Sequence, residues 1–379
     1  MMSRIAPQWQ HGMILASQVM PLDPATPLTP RPTIREIAKR LGVSSATVSM
    51  ALRNNSGVSR ETCRLVQRVA KEMGYVPDPE VMKLMRHLRQ RHKPKFQSLL
   101  CALTTVPENR ALPYLAAILE SARKRAEALG YGFMVWRIDD AEITHRRPDL
   151  QRMLESRGVE GLLLAPCLRP LCLQNLLDWS RFSVVAATYS VLAPLVNRVV
   201  PHQFNNMLMI CEQLVKRGYR RIGIVLSETH DVTAHHAFSA AVSWQSIIGG
   251  TEFVRPLVYH EDRLEGALKR WFSEEKPDVI IDPGDGYARQ FARILGLTIP
   301  GKIGFANAHL SGPTDIASVD ERPREIGSTA VKLLSSMIQN GEKGLPDAPN
   351  VTMVAGEWIS APSIRPLSAK RRRGKSAAS

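Results

Sequence analysis

Residues 33–55 read TIREIAKRLGVSSATVSMALRNN, and residues 58–75 continue as VSRETCRLVQRVAKEMGY. Apolar side chains recur in these two stretches with helical spacing, in three short runs. Thr33 and Glu36 have the spacing of a capping box at the start of the first run. We therefore predict three short helices, which begin after Thr33, at Ser45 and after Ser59 and end before Gly42, at Arg53 and before Gly74.

Two short helices joined by a tight turn, with a third helix that closes a small core, form the helix-turn-helix arrangement. We expect the core to be built from the apolar side chains Ile34, Ile37, Ala38, Leu41, Val48, Ala51, Leu52, Leu65, Val66, Val69 and Met73. The other face of the second helix carries Ser45, Ala46, Ser49, Met50 and Arg53. Side chains this small allow a helix to enter the major groove of DNA without steric conflict.

The excess positive charge of the chain lies in a segment that contains this unit and in the last residues of the sequence. The sequence has 50 Lys and Arg against 35 Asp and Glu, a net charge of +15. Residues 31–96 contain 15 basic and 5 acidic residues, whereas residues 97–365 contain 29 of each. Residues 366–379 add five basic residues and no acidic one. A basic head on a neutral body is typical of a polyanion-binding module joined to a second function.

The composition of the 379 residues indicates a globular protein of two or three packed units, with 44% hydrophobic residues. No apolar run approaches the ~20 residues of a membrane-spanning helix, so we expect a soluble protein without a membrane partner. Five cysteines are too few for a disulfide framework and favour a reducing cytoplasm. Residues 1–31 are rich in proline and predict a disordered leader, or a start codon assigned too far upstream. Residues 366–379 predict a basic disordered tail.

Between these ends the chain divides into a helix-turn-helix domain over 32–77, a linker with one short helix over 78–96, and a body over 97–365. The body alternates predicted strands and helices, which is the pattern of α/β architecture with parallel sheets. The predicted strands are Leu99–Thr104, Gly132–Arg137, Gly161–Ala165, Val184–Ala187, Arg221–Leu226, Asp278–Ile281 and Lys302–Ala306. The predicted helices between them include Tyr114–Leu129, Met207–Lys216, Gly286–Leu295 and Glu325–Gln339. Ligands of such sheets bind at the carboxyl ends of strands, which predicts a cleft between two lobes.

Residues 33–75, followed by Val76-Pro77, resemble the head of the lactose-repressor (LacI/GalR) family of bacterial transcriptional regulators nearly position by position. Looser similarity continues through Gly161–Ala165, Arg217–Gly223 and Ile299–Phe305, so that it covers about residues 32–365. The resemblance implies a DNA-reading head, a hinge helix within 78–96 and a two-lobed core of the type I periplasmic-binding-protein kind. It also implies a homodimer that binds a near-palindromic operator in double-stranded DNA and answers to a small-molecule effector.

The resemblance also assigns roles to individual residues of the head. The positions that hold phosphates in the family correspond to Thr33, Ser49, Ser59, Thr62 and Tyr75, and those that touch base edges to Ser45, Ala46 and Met50. Thr47, Arg53 and Asn54 complete the expected DNA-contacting set. Met50 departs from a frequent Arg, which removes a guanine contact of about 1–3 kcal/mol. Leu84 falls at the hinge leucine that pries open a base step in the minor groove; packing of Leu84 on the core is the alternative.

The body departs from its sugar-binding relatives in the polar residues of the cleft. Ala234 stands at the place of an Arg that clamps hydroxyl groups, Ala306 replaces an Asp, and Pro201-His202 replaces an Asp-Asn pair. The effector-contacting residues expected here are His202, Phe204, His236, Asp285 and Asn307. A pocket without charged clamps binds sugars poorly, because unpaired hydroxyl groups are costly to bury. The effector is therefore a different small molecule, or the response to an effector has been reduced or lost.

Other classes of function have weaker support in the sequence. His202, His230, His235 and His236 lack a carboxylate or cysteine at metal-ligand spacing, so we expect loop or pocket histidines and no metal. No catalytic motif is present, which argues against an enzyme, and no cofactor is expected. Two alternatives to an effector-controlled repressor stay open: a nucleoid-type DNA-binding dimer without an effector, and a solute-binding protein.

The missing clamps predict that common mono- and disaccharides do not bind this chain. Isothermal titration of the full-length protein with such sugars should show no heat of binding, because the Arg and Asp that clamp hydroxyl groups in the family are replaced at Ala234 and Ala306. Micromolar binding of any one sugar would contradict this prediction.

Overall fold

The computed structural model describes residues 32–52, 58–75, 98–110, 112–138, 147–248, 252–259, 263–284, 287–310 and 315–366. These residues form two compact units, a small head over 32–75 and a large body over 98–366. No helix in the described ranges has both the length and the apolar composition to cross a membrane.

The head contains three helices: α1 (Ile34–Leu41), α2 (Ser45–Leu52) and α3 (Arg60–Glu72). Their buried side chains pack into one cluster, in which Ile37, Val48, Ala51 and Val66 have no exposed surface. The three predicted helices are thus confirmed. Leu65 was expected in this core but is exposed, and Cys63 and Ala70 are buried instead. Leu65 therefore lies outside the buried face of α3, because consecutive residues such as Leu65 and Val66 are about 100° apart around a helix.

The body follows the predicted alternation of strands and helices. Its helices are α4 (Pro113–Ala128), α5 (Pro148–Ser156), α6 (Gln203–Lys216), α7 (Glu228–Thr233), α8 (Ala237–Ile248), α9 (Leu264–Glu275), α10 (Ala288–Leu295) and α11 (Pro323–Asn340). Its strands are β1 (Leu99–Thr104), β2 (Gly132–Arg137), β3 (Val159–Leu164), β4 (Leu171–Cys172), β5 (Ser183–Ala186), β6 (Val191–Ala193), β7 (Asn197–Pro201), β8 (Arg221–Ser227), β9 (Glu252–Phe253), β10 (Leu257–Tyr259), β11 (Val279–Asp282), β12 (Gly304–Leu310), β13 (Ala317–Asp320), β14 (Val351–Val354) and β15 (Glu357–Ile359).

Two sheets organise the body into two lobes. The first has the strand order β14-β7-β5-β3-β1-β2, and all of its pairs are parallel. The second has the order β10-β8-β11-β12-β13-β15, with β9 beside β8, and only β15 runs antiparallel. Each sheet is covered on both faces by an apolar cluster, which is the reason its strands are almost continuously hydrophobic. The expected two-lobed α/β architecture is confirmed.

The chain passes between the lobes three times. It leaves lobe one after β7 and enters lobe two at α6, returns between β13 and α11, and leaves again between β14 and β15. Lobe two is therefore an insertion between β7 and α11 that also receives the last strand. Three connections make the two lobes parts of one unit while leaving a cleft beside the crossings.

The sequence patterns located the starts of seven strands to within two residues, but the predicted end of β12 was four residues too early and the interior strands β7 and β13 were missed. Short edge strands such as β14 and β15 were not predicted, and neither were the helices α5, α8 and α9. α8 begins immediately after His235-His236 and has an apolar composition without a clear stripe, so helical periodicity could not reveal it.

Gly327 on α11 permits the tightest contact between helices in lobe one. A Cβ atom at this position would overlap the backbone carbonyl of Ile118 and the hydroxyl of Ser121, both on α4. The backbones of α4 and α11 therefore approach each other across the missing side chain, and a larger residue must separate the two helices.

We predict that Gly327→Ala destabilises the body by about 1–3 kcal/mol, the usual cost of an overpacked core. The matched control is Gly266→Ala on α9, where nothing lies within 4 Å of the added atom. That change should stabilise its helix by up to about 1 kcal/mol, because alanine is the better helix former. Thermal unfolding followed by circular dichroism measures both effects. Equal melting temperatures for the two variants would refute the close approach of α4 to α11.

Candidate functional site

The N-termini of the three head helices are all capped by hydroxyl groups. Thr33 Oγ1 accepts a hydrogen bond from the Glu36 amide at 3.3 Å, while the Glu36 carboxylate accepts one from the Thr33 amide at 2.6 Å. This confirms the predicted capping box. Ser59 Oγ accepts from the Thr62 amide at 3.1 Å and contacts Thr62 Oγ1 at 2.8 Å. Because backbone N–H groups and the helix dipole favour anions at such ends, these caps suit contact with DNA phosphates.

The cap of α2 is Ser44, which the sequence patterns did not single out. Its Oγ accepts from the Thr47 amide at 3.0 Å and lies 2.8 Å from Thr47 Oγ1. Thr47, expected among the DNA-contacting residues, is thereby engaged in holding the first turn of α2. The signal for this cap was a hydroxyl residue just before an apolar helical run.

The outer face of α2 carries the small side chains expected to read DNA. Ser45 and Ala46 are exposed, and Ser49 and Met50 are partly exposed, whereas Val48 and Ala51 on the opposite side are fully buried. Tyr75 is partly buried against the head core. Of the remaining DNA-contacting residues, Arg53, Asn54 and Leu84 lie outside the described residues.

Seven exposed basic side chains lie on α1 and α3: Arg35, Lys39, Arg40, Arg60, Arg64, Arg68 and Lys71. Only Glu36, Glu61 and Glu72 oppose them among the described head residues. The resulting positive surface attracts the phosphate backbone of DNA, whatever its sequence, and leaves base discrimination to α2.

The body has a cavity of about 160 Å³ beside the first crossing between the lobes. Lobe one contributes Tyr189, Pro201 and Met353, and the remaining lining residues come from the start of α6 and from the turn between α7 and α8: His202, Gln203, Phe204, Ala234, His235 and Ala237. Two of the predicted effector residues, His202 and Phe204, therefore line one cavity. A ligand there touches both lobes and can favour one arrangement of the lobes over another.

A histidine turn shapes one side of this cavity. His235 and His236 both have positive φ values, 50° and 59°, which is uncommon for residues other than glycine. The predicted site residue His236 lies outside the cavity with 68% of its side chain exposed, and its Nδ1 is 3.0 Å from Asp231 Oδ2. His235 lines the cavity instead, and its ring centroid lies 4.3 Å from that of Tyr189. Burial and the nearby Arg198 guanidinium lower the pKa of His235, which favours a neutral ring.

Asp231 fixes the turn that carries both histidines. Its carboxylate accepts hydrogen bonds from Ser239 Oγ at 2.8 Å and from the Ser239 amide at 3.3 Å, and its backbone carbonyl accepts from the His236 amide at 2.7 Å. These bonds offset the cost of two successive left-handed residues, about 1–3 kcal/mol each. The turn therefore holds His235 at the cavity.

The other two predicted effector residues are placed differently. Asn307 is buried in the middle of β12, where its Oδ1 accepts from the His309 amide at 2.7 Å, and it does not line the cavity. Asp285 lies outside the described residues. His202 serves as the N-cap of α6, since its Nδ1 accepts from the Asn205 amide at 3.4 Å.

A second contact between the lobes involves Tyr114 on α4, His309 on β12 and Glu321 at the second crossing. The Glu321 carboxylate is completely buried and pairs with His309 Nδ1 in a short contact, and the Tyr114 ring lies 4.5 Å from the His309 ring. Burial, with the charge of Glu321 as a smaller cause, raises the pKa of Tyr114. The sequence patterns did not reveal this cluster, because Tyr114 belongs to the other lobe and lies far along the chain from His309 and Glu321.

A larger open cavity of about 480 Å³ lies on lobe one between α4 and α11. It is lined by Lys124, Arg125, Arg324 and Lys332, and two of these cations, Lys124 and Arg324, pair with Glu120. Those contacts lower the pKa of Glu120 to about 2. Because this cavity touches one lobe alone, a ligand in it would not bind directly to both lobes.

Comparison with known proteins agrees with both units. Residues 33–78 match the family model described as bacterial regulatory proteins, lacI family, and residues 211–357 match the periplasmic binding protein-like domain. The HTH-type transcriptional repressor PurR of Haemophilus influenzae (strain PittEE) is 24% identical over 332 residues, which cover 83% of this chain and 93% of that protein.

Two solved structures share the fold. The lac repressor dimer bound to operator and the anti-inducer ONPF has a TM-score of 0.51 at 17% identity, covering 88% of this chain and 98% of that one. The complex of the transcriptional regulator CelR with cellobiose has a TM-score of 0.50 at 18% identity, covering 88% and 100%.

Proposed function

Since the chain belongs to the lacI family of bacterial regulatory proteins, we propose that it is a sequence-specific transcriptional repressor whose operator affinity is set by a small molecule bound between its lobes. The observation that carries this proposal is the α2 helix, capped by Ser44, with an exposed face of small side chains, in a head whose other two helices carry seven exposed cations. Such a helix suits the major groove, and its surroundings suit the phosphates.

Regulation follows from the position of the cavity at the first crossing. An effector that binds one arrangement of the lobes more tightly shifts the population toward it. A change in operator affinity is then a coupling free energy, typically 1–3 kcal/mol, and operator binding must change effector affinity by the same factor. The hinge helix and linker expected within residues 78–96, with Leu84 proposed to enter the minor groove, lie outside the described residues.

The same reasoning disfavours the alternatives. A solute-binding protein has no use for a basic helix-turn-helix head, and a nucleoid-type binder has no use for a cavity that joins two lobes. The body is proposed to bind its ligand without transforming it, as the regulators of this family do. We place the protein in the bacterial cytoplasm, on the nucleoid where its operator lies.

Selection of bound sequences from a random duplex pool at about 150 mM salt tests the proposed function, because nonspecific phosphate attraction is already weak there. We expect one two-fold-symmetric motif of about 14–20 base pairs, as two heads on one dimer require. Ala46→Leu places a bulky side chain on the exposed face of α2 and should weaken binding to that motif at least ~tenfold, the equivalent of one lost base contact. Ala128→Leu, the same change at an exposed site of the body, should leave it unaltered.

An enriched motif without two-fold symmetry would contradict the dimeric reader, and no enriched motif would contradict sequence-specific binding. If Ala46→Leu and Ala128→Leu bind the motif equally well, α2 is not the reading helix.

Dimerisation is proposed to use the exposed apolar face of α8. Trp244 and Ile247 are three residues apart, hence on the same side of the helix, and are 46% and 77% exposed. Exposed apolar side chains that adjoin each other mark association surfaces. A relative of this fold, the lac repressor, was solved as a dimer.

We predict that Trp244→Asp with Ile247→Asp yields monomers, because a buried unpaired carboxylate opposes association. Light scattering after size exclusion measures the mass. The control is Leu195→Asp, an equally exposed leucine on lobe one, which should remain dimeric. A double variant that stays dimeric would show that α8 lies outside the interface.

A further inference from the structure

We propose that the cavity between the lobes recognises a small, flat aromatic acid, one ring in size, which carries a carboxylate and a second group with an N–H or O–H donor. This inference rests on the proposed function, because it names the chemical class of the effector. It is carried by the rings, the unpaired amide oxygen and the positive charge that the fold brings together at the start of α6.

Size limits the ligand first. Pockets for drug-sized ligands usually measure about 300–1,000 Å³, and this cavity measures about 160 Å³. That is the volume of roughly five molecules of liquid water. A single substituted ring fills such a space, whereas a disaccharide exceeds it.

Aromatic side chains dominate the lining. Tyr189, His202, Phe204 and His235 carry rings, and Tyr189 already lies against His235 at 4.3 Å between centroids. Pro201 and Ala234 are buried at the cavity and contribute apolar surface. Flat rings pack favourably against such walls in offset or edge-to-face arrangements, by about 0.5–1.5 kcal/mol beyond simple burial. A saturated ring of the same size lacks this contribution.

Gln203 is the reason to expect a hydrogen-bond donor on the ligand. Its side chain lines the cavity, and its Oε1 atom is buried without a hydrogen-bond partner among the described residues. A buried acceptor left unpaired costs about 1–3 kcal/mol, which a ligand hydroxyl or amino group at that place would recover. The Gln203 side chain therefore favours ligands that donate a hydrogen bond.

Arg198 is the reason to expect a negatively charged ligand. This residue of β7 is only 4% exposed, and its Nη1 donates to the Thr188 carbonyl at 2.9 Å. No carboxylate among the described residues forms an ion pair with Arg198, and none lines the cavity. Thr188 directly precedes the cavity residue Tyr189, and burial together with the guanidinium lowers the pKa of the cavity residue His235. A buried cation that has no carboxylate partner among the described residues favours an anionic ligand nearby.

The first turn of α6 adds to this positive potential. The helix begins at Gln203, inside the lining, and runs for 14 residues, so its N-terminal end favours an anion at the cavity. The charge of the site is thereby opposite to that of a carboxylate, and no acidic residue in the part of the chain that the structure describes lines the cavity as a partner for sugar hydroxyl groups.

Isothermal titration of the full-length chain with 4-hydroxybenzoate and its isomers, and with the aminobenzoates, tests the proposal. Each comparison compound removes one feature: 4-hydroxybenzamide the charge, benzoate the donor, and 4-hydroxycyclohexanecarboxylate the flat ring. We expect the best acid to bind with a Kd below about 1 mM and at least ~tenfold more tightly than the compound that lacks any one feature. Failure of every hydroxy- and aminobenzoate to bind below that limit overturns the proposal, as does equal binding of the saturated analogue.

Variants assign the features to residues. Gln203→Met keeps the size of the side chain and removes the acceptor, so the preference for hydroxybenzoate over benzoate should fall to within twofold. Arg198→Gln should abolish the preference for the acid over the amide. Gln290→Met, the same change at an exposed site on α10, should leave both preferences intact. If Arg198→Gln does not fold, Gln203→Met alone decides, and an unchanged preference in that variant refutes the role of the amide.

The same preparation is also titrated with the selected operator duplex. DNA binding without binding of any aromatic acid overturns the effector class and leaves the proposed function standing. Binding of the acid without sequence-specific DNA binding overturns the proposed function and leaves the cavity assignment standing.

Discussion

The chain passes between its two lobes three times, and Glu321 occupies the second passage with no exposed surface. A carboxylate in such a position requires a partner, because an isolated buried charge costs several kcal/mol. His309 is that partner, and Tyr114 packs on its ring from the other lobe. The lobes therefore contact each other at the second crossing through these three side chains.

The cavity at the first crossing is lined by residues of both lobes. β7 ends at Pro201 and α6 begins at Gln203, so one short stretch contributes residues to both lobes. The turn between α7 and α8 approaches it from lobe two, and Tyr189 from lobe one. A molecule between them replaces the direct contact of Tyr189 and His235 as the link across the cleft. The energy of binding is thereby coupled to the arrangement of the lobes.

The helices of the head are stabilised by local hydrogen bonds at their N-termini. Thr33, Ser44 and Ser59 each stabilise a helix that is too short to persist alone, since isolated helices below about 12–15 residues are marginal in water. The same hydroxyl caps lie at the helix ends that favour phosphates. The residues that cap the helices are thus also expected at the phosphates of DNA. A single stretch of sequence therefore predicts both the fold of the head and its DNA contacts.

The sequence by itself determined the head, its boundaries and the alternation of the body, because caps, turns and apolar periodicity act within a few residues of one another. The resemblance to the lactose-repressor family also placed His202 and Phe204 among the residues of the cleft. Tertiary structure alone decided that His235 and not its neighbour His236 lines the cavity, because two left-handed residues held by Asp231 rotate one ring inward and the other outward. It alone joined Gln203, Arg198 and Tyr189, and paired Glu321 with His309. Such contacts depend on how two sheets are connected, and no short-range pattern in the chain records that.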